Sequence, residues 1–312
     1  MIQIIRGIHN IKHINFNSVI TIGKFDGIHL GHQKLLTQVY QISQKYKLLS
    51  IVILFEPQPL EFLKKKDIPM RIMKFRDKVK WISSYNIDTI LCIRFNQSFK
   101  SLNAKEFIIN ILINKLNVKY IVIGDDFKFG CKRNGNINLL KEMGQQYQFN
   151  IIIIRSLYTH LGKISSTNIR IALSKNNIKL ATNLLGRPVS ITGKVIHGDQ
   201  IARTLDFPTA NVRINEKHLL SNGVYAVKIK YSIKKYCLGI SNIGIKPTFI
   251  KNKQNTRLLE VHLFNKNIDL YGKYIEIFIY KKIRDEKIFS SQTELKNQIY
   301  QDIIKVKEYF KI

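Results

Sequence analysis

The sequence predicts a doubly wound α/β domain with a parallel sheet, followed by an antiparallel β-barrel and a C-terminal helix. In the first half, short apolar runs alternate with longer stretches of helical spacing, as in a parallel sheet covered by helices. After Leu185-Gly186-Arg187-Pro188, short apolar runs separated by turn signals are typical of a closed barrel. A chain of 312 residues is long enough for two cores. We therefore expect two domains, residues 1–184 and 185–312.

Each half supplies its elements in chain order. The first half predicts strands at Val19–Ile22, Leu49–Phe55, Thr89–Ile93, Tyr120–Ile123 and Asn150–Ile154. The stretches between them predict helices at His32–Tyr46, Arg76–Tyr85, Ala104–Leu116 and Asn138–Tyr147. The second half predicts strands at Val189–Ile196, Gly223–Ile229, Lys235–Ile240, Leu258–Phe264 and Tyr274–Lys281, and a last helix at Thr293–Phe310.

The stretch from Gly23 to His32 joins the first predicted strand to the first predicted helix. The N–H groups and the positive dipole end at such a helix start favour a bound phosphate. His29 and His32 are three apart and share one face of the first turn, and Gly31 between them lets a ligand approach the backbone. An isolated histidine pair more often caps a surface helix, and a metal site would need further ligands. The three cysteines, which lack zinc spacing, are Cys92, Cys131 and Cys237.

Other loops follow the predicted strands and should join this stretch. In a parallel sheet the carboxyl ends of the strands lie together, and ligands bind there. The loops Phe55–Pro59 and Gly124–Gly130 are therefore expected in the same site. After the fifth strand, Ser165 and Ser166 can cap the next helix, and with Arg170 one turn later they could also clamp a phosphate.

The first half resembles a known family. The string Gly23-x-Phe25-Asp26-Gly27-x-His29-x-Gly31-His32 is similar to the adenylyltransferase module of prokaryotic bifunctional riboflavin kinase/FAD synthetases, and Ile164-Ser165-Ser166-Thr167-x-x-Arg170 matches the same family. The resemblance implies that His29, His32 and Arg170 stabilise charge on the transferred group and on pyrophosphate. The residues that it assigns to ATP are Gly23, Phe25, Asp26, Gly31, Ser165 and Ser166. It places Asp126 and Phe129 near the flavin.

The second half carries Pro208-Thr209-Ala210-Asn211, which resembles the core of the riboflavin kinase motif in that family. Thr209 and Asn211 are two apart on an extended chain and would face the same side, where their hard oxygens suit magnesium. Gly193 and Gly198 flank a predicted turn whose amides could wrap phosphates. The residues expected at ATP in this half are Gly193, Gly198, Thr209 and Asn211, with Thr209 and Asn211 also as metal ligands.

Glu260 lies within an apolar run, so its carboxylate either faces solvent or takes part in chemistry. The resemblance implies the second, with Glu260 as general base on the ribityl 5′-hydroxyl, and it implies that Arg284 lines the flavin site of the kinase. Ala202 and Asp206 stand where the family has glycines. If either position needs a positive φ, its side chain costs of order 1 kcal/mol or more.

Composition narrows the function classes. The formal charge of +30 raises nucleic-acid binding as a hypothesis, but the lysines are spread along the whole chain without an RNA-binding aromatic signature. No apolar run approaches the ~20 residues that cross a bilayer, and scattered cysteines fit a reducing compartment. We expect a cytoplasmic protein without nucleic-acid or membrane partners, and its oligomeric state stays open.

The resemblance implies an enzyme that uses ATP and Mg²⁺ for two reactions. The barrel would phosphorylate riboflavin to FMN, and the first domain would adenylylate FMN to FAD and pyrophosphate. Two other hypotheses stay open at this point. One is a nucleotidyltransferase with another acceptor and a non-catalytic barrel. The other is a basic RNA-binding protein, whose affinity would fall steeply with salt.

Overall fold

The computed structural model divides the chain into two compact units, Met1–Ser166 and Thr167–Ile312. It describes residues 2–11, 16–64, 66–160, 162–197, 207–214, 219–246, 256–264 and 268–312. Within these ranges, no helix combines the length and the apolar character needed to cross a bilayer.

The first unit is built on a six-stranded parallel sheet. Its strands are β1 (Gln3–Arg6), β2 (Ser18–Ile22), β3 (Leu49–Glu56), β4 (Thr89–Arg94), β5 (Val118–Gly124) and β6 (Asn150–Ile154). They lie in the order β1-β4-β3-β2-β5-β6, and every neighbouring pair is parallel. A short antiparallel hairpin of β7 (Tyr158–Thr159) and β8 (Gly162–Lys163) follows.

Helices connect these strands. They are α1 (Leu30–Tyr46), α2 (Pro59–Leu63), α3 (Phe75–Ser83), α4 (Gln97–Ser101), α5 (Ala104–Glu106), which continues as a π-helical stretch (Phe107–Ile113), and α6 (Ile137–Tyr147). Short 3₁₀ turns lie at Ile8–Asn10 and Cys131–Arg133, and α7 (Ser166–Ser174) begins at the end of the unit.

Strand β2 lies inside the sheet, with all five of its residues buried. Its side chains alternate between the two faces of the sheet. Val19 packs in one apolar cluster with Leu36 of α1 and Ile82 of α3, whereas Ile20 packs in another with Leu140 of α6. Helices therefore cover both faces, and the predicted doubly wound fold is confirmed.

The strand order reverses at β2. From β2 the chain builds outward through β3 and β4 on one side, and through β5 and β6 on the other. In open α/β sheets the crevice outside the carboxyl ends of the strands at such a reversal is where ligands bind. The loops that follow β2 and β5 border this crevice.

The second unit contains a closed antiparallel barrel, which confirms the predicted architecture. Its strands are β9 (Val189–Ile196), β10 (Thr209–Arg213), β11 (Gly223–Ser232), β12 (Lys235–Lys246), β13 (Thr256–Leu263) and β14 (Tyr274–Arg284), in the closed order β10-β13-β12-β11-β14-β9. Helix α8 (Ile178–Leu185) precedes the barrel, and α9 (Gln292–Phe310) follows it.

Alternation along the barrel strands separates an inner from an outer face. Val227 and Val261 are completely buried on the inner face. On the outer face, Ala226 and Ile240 pack with Val306 of α9. His262 stands opposite Ile240, so His262 and Glu260, two residues before it, also lie on the outer face.

Candidate active sites

The chain from the end of β2 through the first turn of α1, which we call the histidine loop (residues 23–32), has an unusual backbone. Phe25, Gly27 and Ile28 have φ angles of 47°, 84° and 40°. This conformation costs about 1–2 kcal/mol for a residue with a side chain, and it is a genuine outlier for a β-branched residue such as Ile28. The loop is nevertheless fixed, because Phe25 and Ile28 are completely buried and the Gly23 N–H donates to the Ile53 carbonyl at 3.2 Å. Strain of this kind persists where the surroundings over-determine it, commonly at functional sites.

The loop ends in two stacked imidazoles. The His29 and His32 ring centroids lie 3.7 Å apart with 19° between the ring planes, and the Phe25 ring lies 4.9 Å from the His32 ring. His29 caps α1, with its Nδ1 accepting a hydrogen bond from the His32 backbone N–H at 3.4 Å. Because Nδ1 accepts, the proton of a neutral His29 ring lies on Nε2. A Cβ at Gly31 would come 3.2 Å from the His29 ring, so glycine leaves room for this arrangement.

Two buried charged residues lie in and beside the histidine loop. Asp26 is 1% exposed, and its carboxylate accepts hydrogen bonds from the backbone N–H of Ile72 at 3.0 Å and of Met73 at 3.3 Å. Lys78 of α3 is also 1% exposed, and its Nζ donates to the Lys24 carbonyl at 2.6 Å. Burial lowers the pKa of Lys78, and the charge of Asp26 acts in the opposite direction. The Asp26 carboxylate is therefore engaged with the protein backbone at these two hydrogen bonds.

Of the motif that contains Ser165, Ser166 and Arg170, the structure places Ser166 beside the histidine loop. Ser166 donates from Oγ to the Asp26 carbonyl at 2.8 Å, which brings the start of α7 to the histidine loop. Ser165 is half-buried and immediately precedes α7. Arg170 is a half-buried residue of α7 in the second unit.

Sequence reasoning missed a cluster of Glu56, Glu61 and Arg71. The Arg71 guanidinium donates to both carboxylate oxygens of Glu61 at 2.6 Å and also to Glu56. Its hydrogen bond lowers the pKa of Glu61. The one available signal was Glu56 at the end of a buried strand, because Arg71 lies 15 residues further on and outside the motifs.

Phe129 belongs to a row of aromatic side chains at the carboxyl end of the sheet. It stacks on Phe127 with 5.5 Å between centroids and lies 5.8 Å from Phe107. The contacts continue, with centroid distances of 5.4–6.1 Å, through Phe99, Phe95, Phe55 and Phe62. We call these seven residues the phenylalanine row. Phe107 is 3% exposed and belongs to the core, whereas the partly exposed members offer apolar faces and edges to a flat ring. Of the seven, only Phe129 was predicted as a flavin contact.

Asp126 lies in the exposed part of the loop after β5. Its side chain is 73% exposed and pairs with Lys163 at 2.7 Å, which raises the pKa of Lys163. The neighbouring Asp125 accepts from the Ser156 backbone N–H at 2.9 Å and from the Ser156 hydroxyl at 2.5 Å, which lowers the pKa of Asp125. The two aspartates thus connect this loop, by an ion pair and two hydrogen bonds, to the chain that follows β6.

In the barrel, three neighbouring strands bring polar residues into one row. Asn211 of β10 and Asn242 of β12 both stand opposite Glu260 of β13. Directly opposite residues share a face with Cβ atoms roughly 4.5–5.5 Å apart. Thr209 stands opposite His262, and residues two apart on a strand share a face, so Thr209 lies on the same side as Asn211 and Glu260. We call these five residues the Glu260 row. Sequence reasoning did not assign Asn242 or His262 to a site.

Two other predicted residues of the barrel have structural contacts. Arg284 donates from Nε to the Asp302 carboxylate of α9 at 2.8 Å, and Asp302 is 1% exposed. Gly193 lies within β9 rather than beside a turn, and a Cβ there would come 2.2 Å from Cγ1 of Val212. Glycine at 193 is therefore required by the packing of the barrel. Outside the described residues lie Gly198, Ala202 and Asp206.

The fold defines a nucleotidyltransferase-like unit followed by a flavokinase-like barrel. Residues 11–168 match the family described as FAD synthetase, and residues 185–310 match the riboflavin kinase family. The chain is 68% identical over 310 residues to the bifunctional riboflavin kinase/FMN adenylyltransferase of Buchnera aphidicola subsp. Acyrthosiphon pisum (strain APS), covering 99% of each protein. It is 41% identical over 309 residues to the enzyme of the same description from Escherichia coli (strain K12), covering 99% of this chain and 98% of the relative.

A solved structure agrees with this likeness in fold. A crystal structure described as a macrolide-efflux protein from Streptococcus pneumoniae has a TM-score of 0.85 and 28% identity, covering 98% of this chain and 99% of that one. The chain belongs to the family of bifunctional riboflavin kinase/FMN adenylyltransferases. It makes FMN from riboflavin and ATP, and then FAD and pyrophosphate from FMN and a second ATP. The flavin hypothesis is confirmed over the two alternatives.

Proposed function

We propose that adenylyl transfer takes place at the histidine loop, outside the carboxyl ends of β2 and β5. The observation that carries this proposal is the stack of His29 and His32 at the N-terminus of α1, beside the reversal of strand order. A helix N-terminus favours an anionic phosphate, and preorganised donors are most effective where charge develops during the reaction.

The reaction needs little covalent chemistry from the protein. An FMN phosphate oxygen attacks the α-phosphorus of ATP, a new P–O bond forms, and the bond to the bridging oxygen breaks as pyrophosphate leaves. Positioning and charge stabilisation then dominate catalysis. We assign charge stabilisation to His29 and His32, and the holding of the triphosphate to Ser165 and Ser166. The role that the family resemblance gives to Arg170 in the same step stays a prediction.

The other predicted ATP residues of this unit act by shaping the loop. Gly23 and Gly31 keep side chains away from the Phe25 and His29 rings, since a Cβ at either glycine would lie within 3.0–3.2 Å of a ring atom. Phe25 supports His32 by ring contact. Asp26 acts through its hydrogen bonds to the backbone.

The phenylalanine row is proposed to receive the isoalloxazine ring of FMN. Phe127 and Phe129 are its two members in the loop after β5. Phe62 at the other end of the row is 40% exposed, so part of the row is open to a ligand. A flat aromatic ligand gains from both burial and offset or edge contacts. Asp126, paired with Lys163, supplies polar groups at the rim.

Riboflavin phosphorylation is proposed to take place at the Glu260 row. The ribityl 5′-hydroxyl attacks the γ-phosphorus of ATP, Glu260 accepts the hydroxyl proton, and ADP leaves with the bridging oxygen. Asn211 and Asn242 flank the carboxylate and fix the polar surface around it. Arg284 serves the flavin site by holding α9 through Asp302.

Thr209 and Asn211 fit a magnesium ion that is bound together with ATP. Their oxygens lie on one face of β10 beside a carboxylate, which is the donor chemistry that Mg²⁺ prefers. No group of three or more His, Cys, Asp or Glu residues in the described ranges is arranged to hold a metal. We therefore propose that nucleotide phosphates supply further ligands here, and also for Mg²⁺ at the adenylyltransferase site. When bound, the ion would neutralise charge on the phosphates.

Thr209→Ala should raise the Mg²⁺ and ATP concentrations needed for riboflavin phosphorylation. Loss of one polar contact to a charged ligand corresponds to about tenfold in affinity. Initial rates of FMN formation across a magnesium titration measure this, and the rate should recover at high Mg²⁺ and ATP. Thr293→Ala, at an exposed threonine of α9, is the control. An unchanged magnesium requirement would remove Thr209 from the metal site.

The barrel together with α8 is proposed to be an autonomous kinase. Asn176 accepts hydrogen bonds from the hydroxyls of Tyr225 at 3.2 Å and Ser221 at 2.9 Å, and α8 contacts β9 and β14. A fragment of residues 175–312 should therefore fold and phosphorylate riboflavin. A fragment of residues 185–312 should melt at least ~5 °C lower, because it lacks the buried face of α8. Thermal unfolding and FMN formation measure both fragments. A folded but inactive 175–312 fragment would contradict autonomy.

Chromatographic separation of FMN and FAD follows both reactions in one sample. When riboflavin and FMN are supplied in separate assays, a substitution in one proposed site should lower the rate of formation of one product and leave the other unchanged. A cytoplasmic location and the absence of nucleic-acid and membrane partners stay predictions, and the oligomeric state stays open.

A further inference from the structure

We infer that Lys78 is a positioning residue for adenylyl transfer. Its buried ammonium group holds the histidine loop in the conformation that stacks His29 on His32. The inference rests on the proposed placement of adenylyl transfer at this loop, and Lys78 acts through the two histidines.

Lys78 occupies an unusual place for a lysine. It lies on α3 and is 1% exposed, although lysine is almost never fully buried without a partner. Its Nζ donates to the backbone carbonyl of Lys24, 54 residues earlier in the chain, at 2.6 Å. Lys24 immediately precedes Phe25, the first residue of the loop in the left-handed region. The ammonium group thus fixes the peptide through which the chain enters this conformation.

A second buried charge fixes the other side of Phe25. Asp26 is 1% exposed, and its carboxylate accepts from the N–H groups of Ile72 and Met73, in the segment that leads into α3. Asp26 also attracts the ammonium of Lys78. The loop is therefore held on both sides of Phe25 by one connected part of the chain, the segment 72–78.

The consequence reaches the histidines through Phe25. Its φ of 47° persists only while its neighbours over-determine it. The Phe25 ring lies 4.9 Å from the His32 ring, and His32 in turn stacks on His29. Without the cation, the buried Asp26 carboxylate would keep its backbone hydrogen bonds but would lose the positive charge that attracts it, which is unfavourable in a buried environment. We expect the loop to relax and the imidazoles to leave their productive positions.

The test compares Lys78→Met, which keeps an unbranched side chain one atom shorter and removes the charge, with Lys78→Arg, which keeps the charge. Lys78→Met should lower kcat for FAD formation from FMN about 10²-fold, as expected for a small displacement of catalytic groups. The KM values for FMN and ATP should change little, and Lys78→Arg should restore much of kcat. Riboflavin phosphorylation by the same chain should be unchanged. Lys80→Met, at an exposed lysine of the same helix, is the matched control.

Trp81, the single tryptophan and three residues after Lys78, reports through its fluorescence whether the first unit is folded. If Lys78→Met unfolds this unit, the double variant Lys78→Met/Asp26→Asn is measured in its place, because it removes both buried charges. Its kcat for FAD formation should also be low. Normal kcat in a folded variant without the Lys78 charge would overturn the inference. If His32→Ala is inactive in that case, the proposed site stands without Lys78. Full adenylylation in His32→Ala would overturn both the site and the inference.

Discussion

Replacement of His32 by alanine should lower the rate of FAD formation from FMN about 10²–10³-fold, the usual effect of removing one preorganised donor. The His32 ring lies between the rings of Phe25 and His29 at the start of α1, so its position is fixed before substrate binds. Riboflavin phosphorylation should persist, because the Glu260 row belongs to the other unit. Supplying FMN and ATP and measuring FAD by chromatography isolates the affected reaction.

His9→Ala provides the control for this substitution. His9 is an exposed histidine of the same unit and lies in the short 3₁₀ turn after β1. Its replacement should leave both reactions at their normal rates. Normal FAD synthesis by folded His32→Ala would show that the histidine loop does not carry adenylyl transfer.

Glu260→Gln should lower riboflavin phosphorylation by about 10²–10⁴-fold, the usual contribution of a positioned base. A primary hydroxyl is a poor nucleophile, and glutamine keeps the shape of the side chain but cannot accept the proton. Adenylylation of supplied FMN should be unchanged. The kinase defect should persist at high Mg²⁺ and ATP, unlike that of Thr209→Ala. Rates of FMN formation at saturating substrates measure the difference.

Glu276→Gln is the matched control for this base. Glu276 is a buried carboxylate in β14 of the same barrel, and its Oε1 accepts a hydrogen bond from the Ser190 hydroxyl at 3.1 Å. The same substitution there removes a carboxylate from a barrel strand without touching the Glu260 row. If Glu260→Gln turns over normally while folded, Glu260 is a structural carboxylate and the proton goes elsewhere.

The inner strands of the sheet could be predicted because burial on both faces requires a continuous apolar run. Strand β1 gave no such signal, since Gln3–Arg6 is four residues long and mostly exposed. Strand β10 was not predicted either. Thr209–Arg213 mixes polar and apolar residues, and its extended form depends on pairing with β9 and β13. Context of this kind outweighs local β-propensity.

In the histidine loop too, local spacing could be predicted from the sequence, whereas contacts between distant residues could not. His29 and His32 were predicted on one face because they are three apart, and the structure stacks them. The contacts of Asp26 with Ile72 and of Lys78 with Lys24 span 46 and 54 residues, so only the packed fold creates them. Asp26 in a glycine loop resembled a ligand-binding group, and its low exposure could not be read from the motif.

The closure of the barrel limits the association of copies of this chain through strand pairing. A closed ring of strands has no first or last member, so it leaves no row of backbone groups on which another molecule could add a strand. The sheet of the first unit ends at β1 and β6, and β1 is very short and carries Arg6, two features that discourage intermolecular strand addition. The other end is Asn150–Ile154, with four consecutive isoleucines, a composition that favours intermolecular β-pairing. A formal charge of +30 opposes the approach of a second copy, and this protection weakens as salt screens the charge. Resistance to aggregation is therefore built into the architecture of the barrel, whereas at β6 it depends on charge and on the ionic strength around the protein.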